Sequence, residues 1–402
     1  MKIFVLVKRN ILTIVFGLFL VFLVIFSKNN LVATKDGLVL WATCVVPSLF
    51  PFFIATELLN YTNIAKIFGK LLSKIMRPLF NIPGEGAYAF IMGVISGYPV
   101  GAKIVSDFYE RGICTKDEAE RMIAFTNNSG PLFIIGTVGI LLFGSSTIGI
   151  LLFITHLLSA ISVGLIFGIS SKVASYTSKK YTSRYKSVSN TNKNFTSKNN
   201  LRVSNTNTSS INNSPLSDLG EILSSSISKS ISNILQIGGF VILFSVILSI
   251  LNRLNIISWL SIVLTNFNIP YDFSNGLISG IIELTNGINV VCKIQTKAIS
   301  STITLCAFLL GFGGFSILLQ VLSIISKYGL SVKNYFCGKI LQGILAAFYT
   351  LFTIRHCSIF NLDIPINAIT SNVSSYEIWL TLVLSIIITI IIFSNQKKKC
   401  YS

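Results

Sequence analysis

Charge-free apolar runs recur along this chain, at residues 11–26, 132–143, 148–169, 231–251, 303–325 and 378–393, and this recurrence limits the possible folds more than any other feature. Several approach the ~20 residues that an α-helix needs to cross the hydrocarbon of a bilayer. Spanning β-strands would be about half as long and would alternate polar with apolar residues, which these runs do not. With 52% hydrophobic and only 11% charged residues, a water-soluble fold of 402 residues would lack the polar surface to cover itself. The sequence therefore predicts an all-α polytopic membrane protein whose surroundings are a lipid bilayer.

A net charge of +18 could point to nucleic acid, so the placement of the 32 Lys and Arg has to decide. With the N-terminus inside, full spans fall near 10–26, 36–60, 120–143, 147–170, 231–252, 301–325, 335–355 and 376–394. These are about eight transmembrane helices, which return the C-terminus to the inside. Two further apolar, Gly-rich segments, 84–104 and 274–292, have the same predicted side at both ends and read as re-entrant hairpins. In this topology every Lys and Arg except Lys28, Lys35, Arg253, Lys293, Lys297 and Arg355 lies inside, Lys339 among them, which is the positive-inside bias. The excess charge is thereby explained without a nucleic-acid partner. Residues 1–27 have the basic start and apolar run of a signal peptide, but no small-x-small site follows, so they read as an uncleaved first helix. The seven cysteines are scattered without a C-x-x-C pair, which indicates neither a disulfide framework nor a metal site. Histidine chemistry is nearly excluded by composition, with only His156 and His356 present.

The order of segments divides the chain into an N-terminal transmembrane helix (1–30), a first repeat (31–170), a disordered basic cytoplasmic linker (171–215), a second repeat (216–355), and an extracytoplasmic loop, C-terminal helix and basic tail (356–402). The linker is rich in Ser, Asn, Thr and Lys and cannot bury a core. Each repeat reads as a long helix, a short amphipathic segment, a Gly-rich hairpin, a polar break and two spans. The leading helix runs outward to inward in the first repeat and the reverse in the second, so the repeats are inverted. Paired broken segments in inverted repeats are a signature of secondary transporters, which hold their cargo near the midplane.

In hydrocarbon every backbone amide must be satisfied internally, so Gly and Pro clusters within apolar segments mark helix breaks around a cavity. There are four: SGYPVGAK at 96–103, NNSGP at 127–131, ELTNG at 283–287 and GFGGFS at 311–316. Unpaired N–H groups at the restarting helices carry partial positive charge and suit carboxylates or phosphates. The candidate substrate-binding residues are thus Ser96, Gly97, Tyr98, Pro99, Lys103, Asn127, Asn128, Ser129, Gly130, Glu283, Thr285, Asn286, Gly313 and Gly314. Lys103 either adds a full positive charge or snorkels to the interface. Glu283, ionisable at membrane depth, is the strongest single candidate, as a proton site or as partner to a lysine or polar ligand. Pro47 and Pro51 read as kinks in the second span. No Ser/Lys, Asp/Asp or His/Glu constellation points to an enzyme, and no cofactor is implied.

At WATCVVPSLFPFF (41–53), SGYPVGAK (96–103), FTNNSGPLF (125–133) and ELTNG (283–287) the chain resembles the sporulation integral membrane protein YlbJ family, also called the stage V sporulation protein VV family. Its members carry the gate, or nucleoside-recognition, type of domain. The resemblance implies a mother-cell or outer forespore membrane protein of an endospore-forming bacterium, with both termini cytoplasmic and a role in spore maturation. It further implies that a small organic anion, dipicolinate, is moved out of the mother cell across the outer forespore membrane. The residues alone equally allow a nucleoside as cargo, or a non-transporting scaffold working through the basic linker, and they leave homo-oligomerisation open.

Overall fold

Almost every element is an apolar helix, and the places where helices stop carry the architecture. The structure, a computed structural model, describes residues 11–185, 215–294 and 299–356. The expected C-terminal span at 376–394, the basic tail, the first ten residues and most of the linker lie outside the described residues.

Helix α1 (Ile11–Ile25) leads into α2 (Ser27–Asn60), a long helix with a π-helical turn at Trp41–Val45. The π turn lies just before Pro47, whose missing N–H frees a carbonyl one turn back, and Pro51 repeats the omission. The amphipathic α3 (Ile64–Ile75) follows. Next come α4 (Gly86–Ser96) and α5 (Val100–Glu110), then α6 (Lys116–Thr126), α7 (Leu132–Leu142, π-helical) and the long α8 (Ser146–Tyr185). A capping box starts α6: Thr115 Oγ1 accepts from Glu118 N at 3.3 Å, and the Glu118 carboxylate accepts from Thr115 N at 2.9 Å.

The remaining elements repeat that order. Helix α9 (Pro215–Arg253) is long, α10 (Ile256–Thr265) is short and apolar, and α11 (Tyr271–Ile282) with α12 (Leu284–Cys292) forms the next broken pair. They are followed by α13 (Ile299–Phe312), α14 (Gly314–Ile325) and α15 (Lys333–His356).

Among the described residues, five helices are long and apolar enough to cross a membrane: Ser27–Asn60, Ser146–Lys172, Leu219–Arg253, Ile299–Tyr328, which bends at Gly313, and Lys333–His356. They coincide with five of the expected spans. Two more expected spans fall on described residues: 10–26 is met by α1, which at 15 residues is shorter than a span, and 120–143 is not one helix but two, α6 and α7, separated by extended backbone at Asn127. The polar NNSGP stretch cannot continue an apolar helix. Helix α8 also runs to Tyr185, inside the stretch expected to be linker.

The two kinds of break differ. The arms of α4/α5 and of α11/α12 pack against each other, so each pair doubles back. Glycine permits this, because a Cβ on Gly93 or Gly101 would run into the Thr126 carbonyl oxygen, where α6 ends against both arms. The α6/α7 and α13/α14 pairs instead continue onward. At the corners, Gly97 (φ 78°) and Gly313 (φ 85°) adopt the left-handed backbone that side-chain-bearing residues avoid.

One core cluster contains residues from both halves of the chain. Helix α15 packs on α13, α8 and α6, while α9 packs on α2, where Trp41 Nε1 donates to the Ile234 carbonyl at 3.0 Å. Outward faces carry exposed Leu12, Val24, Leu31, Leu141 and Ile262, a surface that suits lipid rather than water.

Candidate functional site

Every restarting helix exposes N–H groups with no partner inside the helix, and four of them restart around the same centre. Helices α5, α7 and α14 follow Pro99, Pro131 and Gly313, none of which supplies a side-chain cap. Helix α12 is different. The Glu283 carboxylate is its cap, accepting from Thr285 N at 3.1 Å through Oε1 and from Asn286 N at 2.7 Å through Oε2. The second hairpin's helix start is therefore filled by the chain's own anion. Asn286 Nδ2 extends this cap to Ser245 Oγ on α9, at 2.9 Å.

Between these breaks lies a cavity of about 40 Å³, bordered by Leu49, Tyr98, Gly130, Glu283, Thr285 and Ser316. It is large enough for a water molecule and far below the few hundred Å³ of a metabolite pocket. The buried Ser316 hydroxyl, Asn127 Oδ1 and His156 Nδ1 have no hydrogen-bond partner among the described residues. Orphaned polar atoms of this kind are costly unless water or a ligand meets them.

The 127–131 break is held by side chains from other elements. Asn127 Nδ2 donates to Tyr335 OH at 3.0 Å, and Ser129 N donates to His156 Nε2 at 3.3 Å. Tyr98 OH donates to the Leu310 carbonyl at 3.1 Å, which leaves the Ser129 hydroxyl to donate to the Tyr98 oxygen. Asn128 Nδ2 donates to the Phe125 carbonyl at 2.7 Å, its Oδ1 accepts from Gln342 Nε2 at 2.8 Å, and Gln342 Oε1 accepts from Lys339 Nζ at 2.6 Å. Lys339 is only 1% exposed and stands 5.8 Å from the ring centres of both Tyr98 and Tyr335.

The structure thus brings together Gly97, Tyr98, Pro99, Asn127, Asn128, Ser129, Gly130, Glu283, Thr285, Asn286, Gly313 and Gly314. Ser96 lies just behind, its hydroxyl bonded to Thr56. Lys103 does not join them. It pairs with Glu57 at 2.5 Å on the wall of a separate vestibule of about 750 Å³, which Tyr61, Lys66, Glu85, Asp107, Arg111 and Lys229 also line.

Lys339, Gln342, Tyr335 and His156 are not among the candidates that the sequence offers, and Ser316 lies within its fourth break without being one of them. The charge pattern puts Lys339 at the cytoplasmic edge of its span, and the structure corrects this, placing it inside the protein. One signal was present: Tyr335, Lys339 and Gln342 share a single face of α15, and a polar stripe within a span is a functional pointer. Histidine was discounted by composition, yet His156 accepts the Ser129 amide.

A family model described as Gate, nucleoside recognition, matches residues 42–178, which extend from α2 into α8. The sporulation integral membrane protein YlbJ of Bacillus subtilis (strain 168) is 35% identical over 327 residues, covering 79% of this chain and 76% of the relative. No solved structure matches the chain.

Proposed function

Because the chain belongs to the YlbJ family of sporulation integral membrane proteins, we propose that it carries a small organic anion across the membrane by alternating access, with dipicolinate as the cargo. The observation that carries this reading is the convergence of four helix breaks on one buried centre, three of the restarting helices lacking a side-chain cap. Open helix starts inside an apolar body form an anion site that needs no local loop, and they recur where carriers hold carboxylates.

On this reading the matching order of α2–α8 and α9–α15 reflects two inverted repeats, and the doubled-back pairs α4/α5 and α11/α12 are re-entrant hairpins. The vestibule is then an entry route, on the side where basic residues gather. The Glu57–Lys103 pair on the vestibule wall, with the Thr56–Ser96 bond next to it in the chain, acts as a gate. The cavity of about 40 Å³ corresponds to a closed state, in which cargo would have to displace Tyr98 or Leu49 to enter.

The test is uptake of radiolabelled dipicolinate into proteoliposomes containing the full chain, with and without a pH gradient. Saturable uptake competed by other pyridine dicarboxylates is expected, and none beyond empty liposomes would overturn the reading. A nucleoside cargo is the second reading, favoured by the Gate match over the first half. Competition by nucleosides but not by dicarboxylates would select it.

A further inference from the structure

Lys339 is out of keeping with its surroundings. A lysine buried within a membrane-spanning helix is normally matched by an acid or opens to water. This one is 1% exposed, and among the described residues no carboxylate pairs with it; the two ion pairs found there are Arg77–Glu118 and Lys103–Glu57. An ammonium has three N–H donors. Gln342 takes one, and the faces of Tyr98 and Tyr335 give cation–π contact at 5.8 Å.

The orientation of the two amides is fixed from one end. The Phe125 carbonyl can only accept, so Asn128 must present its nitrogen there and its oxygen to Gln342. Gln342 must then present nitrogen to Asn128 and oxygen to Lys339. The relay starts in the last turn of α6, where backbone carbonyls carry partial negative charge, and ends on the ammonium. Every dipole in it favours a positive charge at Lys339, and it leaves that charge without a counter-ion. Tyr98, which faces Lys339, also borders the central cavity, together with Gly130 and the orphaned Ser316 hydroxyl region.

We propose that Lys339 is the fixed counter-charge for a carboxylate of the cargo, reached past Tyr98 and held in place by Gln342 and Asn128. This deepens the transport reading above and rests on its anionic cargo. Lys339 supplies the full positive charge for which the sequence had nominated Lys103. Lys103 already has its acid and faces the vestibule.

The experiment measures binding to the full chain in nanodiscs of phosphatidylethanolamine and phosphatidylglycerol, with pyridine-2,6-dicarboxylate and its neutral diamide as probes. The wild type should prefer the dicarboxylate. Lys339→Gln should weaken dicarboxylate binding about 10- to 100-fold, as loss of a charge-assisted hydrogen bond does, with diamide binding little changed. Lys339→Arg should retain the preference.

Gln342→Glu gives the buried ammonium an internal anion at the cost of the amide donation to Asn128 Oδ1, so its thermal unfolding and its diamide binding are measured alongside as the check that it is folded. It should lose the preference as fully as Lys339→Gln. Wild-type dicarboxylate affinity in Gln342→Glu, or in a folded Lys339→Gln, overturns the inference while the transport reading stands. A wild-type protein that does not prefer the dicarboxylate to the diamide overturns the anionic cargo itself, and the inference with it.

Discussion

Lys103 and Lys339 are both embedded in helical parts of the protein, and their surroundings are opposites. Lys103 has its side chain 31% exposed to the vestibule and a carboxylate at 2.5 Å, so its charge is answered within the protein. Lys339 is sealed in the centre, and among the described residues it is answered only by an amide oxygen and two aromatic faces. A paired charge in a partly wet cleft serves as a latch, because water can stand in for either partner when it opens. An unpaired charge in a buried centre has little solvent to stand in, and on the proposal above it is matched by the cargo that enters.

The largest effect expected from challenging this contrast comes from Asn128→Leu. It removes the acceptor of Gln342 and frees the amide that fixes Lys339. It should destabilise the protein by ~2 kcal/mol and lower dipicolinate uptake about 100-fold. Thermal unfolding and proteoliposome flux would read the two effects separately, and near-normal flux would show that the relay is dispensable.

Next comes Tyr98→Phe. It keeps the aromatic face toward Lys339 but deletes the hydroxyl that joins Ser129 to the Leu310 carbonyl. A cost of ~1 kcal/mol is expected, with flux changed about 5-fold, much less than for Asn128→Leu. A larger loss would move the critical contact from the ammonium to the seam between the α4/α5 turn and α13.

Glu57→Gln and Lys103→Met should each alter flux only a few-fold, in either direction, since a latch sets how often the route opens. Their coupling in a double-mutant cycle should be ~1 kcal/mol or less, discounted for the exposure of Lys103. Coupling well above that would make the vestibule pair a structural keystone and erase the contrast. The smallest effect expected is that of salt. Raising ionic strength from about 0.05 to about 0.5 M should weaken the Lys103–Glu57 contact and leave the Lys339 relay intact. Latch mutants should therefore respond less to salt than the wild type, and relay mutants as much as it.

Much of this geometry was legible in the sequence where the chain breaks its own rules. Gly97, Pro99, Pro131 and Gly313 interrupt apolar segments, and helices restart at or beside each of them, because a backbone in hydrocarbon has no other way to turn. Glu283 drew attention as an intramembrane carboxylate, and its place directly before Leu284 made it a cap for its own hairpin. The extent of α6 and α7 was misread because hydropathy averages over the polar NNSGP stretch. Lys339 was missed for a related reason. Near the start of an apolar run a lysine looks like a boundary charge, and only the packing of α15 on α6 and α13 buries it. Periodicity records which face of a helix is polar, but it does not record which neighbour that face meets.

The unanswered ammonium is also an electrical quantity. A full elementary charge moved through the whole membrane field exchanges ~2.3 kcal/mol per 100 mV. The Glu57–Lys103 pair, with no net charge, is nearly indifferent to that field. Lys339 is not, so an empty protein that shifts its centre across the bilayer works with or against the resting potential. One that has met a dicarboxylate carries one negative charge there instead, so the loaded stroke and the empty return stroke, which run in opposite directions, are both helped or both hindered by the same potential.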